Sequence, residues 1–183
     1  MQAREEWKHA GVNVASLQSG DLVLRHARGT ISNMLLLFSR RDQRYSHAGI
    51  LSIENGKAYV YHAIGGEEPG SAVRRVTLEQ FCNPAAVHAF GIYRMDLTDA
   101  QRDSAATIAR NDFIHQVPFD TGYDLRSDSA LYCTELVYKA YSRAAGRENY
   151  LTLTKVPGLT YVACDDLYFN RHAAFVCGGR FKD

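Results

Sequence analysis

The chain has 183 residues, 46% of them hydrophobic, and its 21 Lys and Arg against 20 Asp and Glu leave a formal charge of +1. That length and apolar content suffice to bury a core of single-domain size, and no Gly/Ser/Pro tract, low-complexity run or repeat divides residues 1–183, so one domain is expected, with a helical extension over 1–19. The near-zero charge argues against a nucleic-acid binder, which carries a basic domain or stripe, and no apolar stretch reaches the roughly 20 residues of a membrane span.

In chain order, a helical segment over Ala3–Val14 precedes a strand at Asp21–Arg25 and a helix near Thr30–Ser39. The apolar run Met34-Leu35-Leu36-Leu37-Phe38 is surrounded by Arg25, Arg28, Arg40, Arg41 and Arg44. It reads as a buried helix with a solvated basic flank, the alternative being a site for an anionic lipid or cell-wall polymer. A hairpin follows over Ser46–Ile64, turned at Asn55-Gly56, and then a breaker-rich loop over Gly65–Gly70. Val73–Val76 reads as a short strand, Thr77–Phe81 as a helical turn and Ala86–Arg94 as a strand. Thr98-x-x-Gln101 is a capping box for a helix carrying Ala105, Ile108, Ala109 and Phe113, which Pro118 ends. Phe119–Arg126 connects to a helix containing Cys133, stopped by Gly146, and a last strand lies near Ala173–Cys177. Strands neighbouring in sequence, with helices between and after them, predict an α+β fold: an antiparallel sheet packed against helices.

The hairpin carries the first chemical signal. A two-residue Asn-Gly loop favours a primed turn, and pairing outward from it puts His47, Gly49, Leu51, Ala58, Val60 and His62 on one face. His47 and His62 become diagonal neighbours, about 7 Å apart at the backbone, with Gly49 leaving room for their rings. Two histidines aimed together suit either a relay or a metal site. A metal asks for further ligands; a relay asks for a nucleophile.

Cys133 supplies the second need. The polar run Ser127-Asp128-Ser129 can cap a helix, which would put Cys133 in its first turn, where the helix terminus favours the thiolate and a nearby histidine lowers the thiol pKa further. Its bland reading is a small buried residue on the stripe of Leu136, Val137, Ala140 and Ala144. Cys82, Cys133, Cys164 and Cys177 contain no C-x-x-C pair, so zinc spacing is absent, and a catalytic Cys133 would be a free thiol.

Gly20-Asp21-Leu22-Val23, Tyr45-Ser46-His47-Ala48-Gly49-Ile50, Val60-Tyr61-His62-Ala63 and Tyr132-Cys133-Thr134-Glu135-Leu136-Val137, in that order, resemble the YiiX/YebB-like family, circularly permuted NlpC-type members of the papain-like cysteine hydrolases. In that branch the histidine precedes the cysteine. The resemblance runs from about Gly20 to the C-terminus, where Asp165-Asp166-Leu167-Tyr168 and the strand after it look like the family's closing segment. It implies a circularly permuted papain-like fold, Cys133 as nucleophile, His47 as general base and His62 in the third polar position, with no cofactor and no metal. The Cys133 backbone N–H is a natural oxyanion donor, and Tyr45, Tyr132 and Asp124 are candidates for contact with substrate.

The implied chemistry is thiolate attack on an acyl carbon followed by release of the acyl-enzyme to water or another acceptor. Three classes follow: a cysteine peptidase or amidase, for which cell-wall peptides are one candidate substrate; a thiol-dependent lipid hydrolase or acyltransferase of the lecithin:retinol acyltransferase type; and a binding protein that keeps the fold without turnover. The partner is then a peptide or an acyl lipid, and oligomeric state stays open. No signal peptide is visible, since Glu5, Glu6, Lys8 and Asn13 interrupt the first 15 residues, which reads as cytoplasmic, or as periplasmic or secreted if a leader was removed.

Overall fold

The computed structural model describes residues 12–65 and 72–181. Six antiparallel strands form one sheet in the order β4-β3-β2-β1-β5-β8, with β1 at Leu22–Ala27, β2 at His47–Glu54, β3 at Lys57–Ala63, β4 at Val73–Thr77, β5 at Val87–Met95 and β8 at Ala173–Arg180. The helices are α1 (Thr30–Leu36), α2 (Leu78–Phe81), α3 (Asp99–Ile114), α4 (Cys133–Ala145) and α5 (Cys164–Tyr168), and β6 (Thr154–Val156) pairs with β7 (Leu159–Tyr161) in a separate small hairpin. This is the α+β arrangement that the strand pattern predicts.

Period-2 alternation gives the sheet two apolar faces, and each is covered. On one, Leu22, Leu24, Ala48, Ile50 and Tyr61 pack against Ala105 and Ala109 of α3 and Leu136, Val137, Ala140 and Tyr141 of α4. On the other, Val23, Leu51, Val60, Phe90 and Ile92 pack under Leu17, Leu78, Phe81 and Cys82. The expected capping box of Thr98 with Gln101 forms at α3, and Thr77 with Gln80 makes a second one at α2. Gly146 takes the left-handed conformation that closes α4.

Three expectations need correction or limits. The apolar helix α1 is not buried: Ile31, Met34, Leu37 and Phe38 are 75, 60, 69 and 51% exposed. The helix turns Ser32 inward instead, and its hydroxyl bonds that of the buried Ser46. An apolar stripe specifies a helix but not the direction of the protein body, which here the Ser32–Ser46 bond sets. Helix α3 ends at Ile114, capped by His115, well before Pro118. The helix expected over Ala3–Val14 falls mostly on residues 1–11, outside the described residues, as does most of the Gly65–Gly70 loop; Val14–Ser16 forms a single 3-10 turn.

Candidate active site

The hairpin folds in the register that its turn demands. Asn55 and Gly56 both take positive φ, 50° and 75°, and every observed β2–β3 pair, from Glu54↔Lys57 to Ile50↔Tyr61, sums to 111. The same register carries His47 and His62 to one face beyond the last pair. A Cβ on Gly49 would lie 2.5 Å from Val60 Cγ1 and 3.2 Å from His62 Cβ, so only glycine lets the strands approach there. His47 Nε2 lies 2.9 Å from His62 Nδ1, with the rings perpendicular and their centroids 5.1 Å apart. Phe81 packs against both imidazoles, 5.6 Å from His47 and 5.2 Å from His62.

Burial decides the protonation of this pair. His62 is 3% exposed, and desolvation, helped by Arg25 and Arg74, pushes its pKa down to about 3. Desolvation, the neighbouring His62 and Arg25 hold His47 well below the ordinary histidine value. Both rings are therefore neutral at neutral pH, and one proton is shared between Nε2 of His47 and Nδ1 of His62. If His47 donates it, His47 Nδ1 is left as a free acceptor, the form a general base requires. His62 Nε2 is buried with no hydrogen-bond partner among the described residues.

Cys133 opens α4, but its cap differs from the expected one. Tyr132 is the N-cap, and its N–H donates to the Glu135 carboxylate at 3.2 Å. Ser127 and Ser129 bond each other in the connector, while Asp128 pairs with Lys139 and Arg143 along the flank of α4. Both neighbours of Cys133 are clamped to Val162: the Val162 N–H donates to Tyr132 Oη at 2.9 Å, and Thr134 Oγ1 donates to the Val162 carbonyl at 2.6 Å. The first turn of α4 is thereby fixed. The N–H groups of Ala48, Cys133 and Thr134 hydrogen-bond the sulfur, which places the thiol beside the residue that follows His47.

The expected resting thiolate does not emerge. Burial pushes the Cys133 thiol above its ordinary value, outweighing those N–H groups and the nearby Arg25. The site at rest is a neutral thiol beside neutral imidazoles, and Cys133 stays partly accessible while Cys82 and Cys164 are buried. All four cysteines are free thiols.

Arg25 is the neighbour that sequence reasoning placed only on a basic flank. It pairs with His47 across β1 and β2, sits with its guanidinium 4.4 Å over the Phe81 ring and donates to the Phe81 carbonyl at 2.9 Å. Its Nε is buried without a partner among the described residues. Register arithmetic between β1 and β2 was the only signal that could have found it, and no turn in the sequence fixes that register.

The three candidate contact residues lie in different surroundings. Tyr132 is 3% exposed and its hydroxyl is held by Val162. Tyr45 is buried against Tyr93 and Tyr168, with ring centroids 6.3 and 5.1 Å away, and its hydroxyl bonds Tyr93. Asp124 is on the exposed connector, bound to Arg126 at 2.8 and 2.9 Å. The structure brings Tyr132 next to Cys133 and turns Tyr45 into the core. Asp165 and Asp166 serve as anchors: Asp165 accepts the N–H groups of Arg40 and Arg41 at 3.1 and 2.7 Å, and Asp166 accepts those of Thr154 and Ala163 and pairs with Arg41.

Residues 16–157 match a family described as permuted papain-like amidases, the YaeF/YiiX or C92 family. Among curated proteins, YiiX of Escherichia coli strain K12, described as uncharacterized, is 30% identical over 131 residues, 70% of this chain and 59% of that protein. The chain thus matches less than two thirds of its relative's length. A crystal structure of yiiX from Escherichia coli O157:H7, described as a metalloprotein, superposes with a TM-score of 0.70 over 87% of this chain and 96% of that one, at 22% identity, which shows a shared fold.

Proposed function

Because this chain belongs to the permuted papain-like amidase family of the YaeF and YiiX proteins, we propose that it is a cysteine hydrolase that works through Cys133 as nucleophile, His47 as general base and His62 as the residue that orients His47. The observation that carries the reading is the 2.9 Å bond from His47 Nε2 to His62 Nδ1, in a pair adjoining the backbone N–H that meets the Cys133 sulfur. The described residues act as one catalytic domain, with the sheet supplying the base and α4 the nucleophile.

The thiol is neutral until substrate arrives. His47 Nδ1 takes its proton as sulfur attacks the acyl carbon, and the imidazolium formed is stabilised by sharing its Nε2 proton with His62. The N–H of Cys133 at the start of α4 faces the developing oxyanion. His47 then returns the proton to the leaving amine, and water releases the acyl group from the thioester. Arg25 lowers the energy of the thiolate as it forms. The family's description as amidases supports an amide substrate, with cell-wall peptides one candidate. An acyl-lipid substrate is the second reading, favoured by the exposed apolar face of α1.

The metal attributed to the yiiX crystal structure does not fit these residues. Among the described residues no group of three His, Cys, Asp or Glu side chains is arranged to hold an ion, and His47 Nε2 and His62 Nδ1 are directed at each other. The mechanism therefore carries no metal step.

The test is turnover of a chromogenic short-chain acyl ester or amide by three variants. Cys133→Ala should abolish it, His47→Ala should lower kcat/KM by about 100- to 10,000-fold, and His62→Ala should cost less than His47→Ala, since it orients the base without touching substrate. Full activity in Cys133→Ala would sink the mechanism.

A further inference from the structure

We propose that α1 is a membrane-docking helix that rests on an anionic lipid surface and delivers an acyl lipid from it to Cys133. The inference deepens the acyl-lipid reading and rests on Cys133 being the nucleophile.

Helix α1 is amphipathic with its sides reversed. Ile31, Met34 and the C-cap Leu37 recur at spacings of three, which gathers them on one stripe of about 120°, and Phe38 follows in the turn after the helix. All four are more than half exposed, while the polar Ser32 is buried against Ser46. A soluble surface rarely spends four large apolar side chains this way on two turns of helix. Leu159, 43% exposed, adds to the same side of the molecule, because Tyr161 of its hairpin donates to the Phe38 carbonyl at 2.8 Å and packs edge-on against the Phe38 ring at 6.0 Å.

Charge selects the occupant. From Ala27 to Arg41 the chain carries Arg28, Arg40 and Arg41 and not one Asp or Glu. Arg28 precedes the apolar stripe and the exposed Arg40 directly follows it, so cations flank the segment that would enter the headgroup layer, while Arg41 is held by Asp165 and Asp166. An apolar stripe bracketed by cations and carrying no acid of its own is the pattern that partitions into the interface of an anionic leaflet.

Placement ties this surface to the site. Helix α1 lies between β1, which carries Arg25, and β2, which begins with His47. The Phe38 ring stacks on Tyr123 at 6.5 Å, Tyr123 packs against Tyr132 at 4.9 Å, and Tyr132 precedes Cys133. Tyr123 also lies within electrostatic reach of the Cys133 sulfur. An aromatic path therefore leads from the apolar face to the nucleophile, and an acyl chain suits it.

The test separates docking from catalysis. Full-length protein carrying Cys133→Ser is sedimented with vesicles of phosphatidylcholine alone or mixed with phosphatidylglycerol. Binding should be strong only with phosphatidylglycerol and should weaken with added salt. The combined variant Ile31→Ser, Met34→Ser, Leu37→Ser should lose at least about tenfold in partitioning, and Arg40→Gln should lose less and reduce the salt dependence. With Cys133 intact, the triple variant should hydrolyse a water-soluble short-chain ester as the unaltered protein does and lose turnover on acyl lipid held in vesicles. No vesicle binding, equal binding by the triple variant, or a dimer that the triple variant converts to monomer would overturn the proposal, the last because the face would then belong to a second copy. Vesicle binding without hydrolysis of either substrate would support the docking surface and overturn the catalytic reading.

Discussion

At Cys133 burial, which raises the thiol pKa, outweighs the backbone N–H groups and Arg25, which lower it, whereas at His47 and His62 burial and Arg25 act together to keep the rings neutral. Its consequence can be measured in acid. An unfolded histidine titrates near 6.5, whereas His62 does so at about 3 and His47 well below its ordinary value. Between those values the unfolded chain binds protons that the folded one refuses, so stability falls as the pH drops from about 6.5 towards 3, at up to about 1.4 kcal/mol per pH unit for each histidine. Urea midpoints across that range should decline in the unaltered protein and decline less in His62→Phe. Turnover should hold its plateau well into acid, because the base stays neutral. In Arg25→Gln the cation that helps burial hold both histidines down is gone, so the acid limb of the kcat/KM profile should move to higher pH; an unmoved limb would remove Arg25 from the site's electrostatics.

The β2–β3 hairpin aligns the base, and two of its glycines do different work there. Gly56 needs its positive φ for the turn but has open space around it, so Gly56→Ala should cost about 1–2 kcal/mol and leave kcat unchanged. Gly49 has ordinary backbone angles, but an added Cβ would meet Val60, the Tyr61 carbonyl and His62. Gly49→Ala should cost about 1–3 kcal/mol and also lower kcat, since β3 must shift and carry His62 off Nε2 of His47. Thermal melts and turnover on the two variants distinguish these outcomes. Helix α4 is positioned by a different device, the double clamp of Tyr132 and Thr134 on Val162, which joins the nucleophile's turn to the stretch just before α5.

Across the whole molecule, the C-terminal third closes over the segment that leads into His47. Asp165, fully buried in α5, accepts backbone N–H groups from Arg40 and Arg41, more than 120 residues earlier, and Tyr168 donates to the Asp42 carboxylate at 2.6 Å. Removing a buried acceptor leaves its donors unsatisfied, so Asp165→Ala should cost about 2–3 kcal/mol and free the loop before His47, seen as a lower denaturation midpoint together with a higher KM. The same closure explains why α5 joins β8 and the core as one body: Leu167 and Tyr168 pack in the cluster that contains Ala140 and Tyr141 of α4. Among the described residues no helix is long and apolar enough to cross a membrane.

The sequence by itself determined what local chemistry dictates. Asn55-Gly56 admits one hairpin register, and that register alone brings the two histidines to one face; Thr98, Gln101 and Gly146 mark helix ends through bonds made within a few residues. Four ordered motifs also carried the family. The small β6–β7 hairpin around Pro157-Gly158 was not among the expected elements, because its three-residue strands are too short to show a period. Tertiary structure alone decided the rest. Which way α1 faces, that Arg25 lies over Phe81 beside both histidines, that Val162 pins the start of α4, and that Cys133 rests as a thiol all depend on contacts between segments far apart in the chain. Desolvation is the common reason, because a residue's water is removed by neighbours that no stretch of sequence around it names.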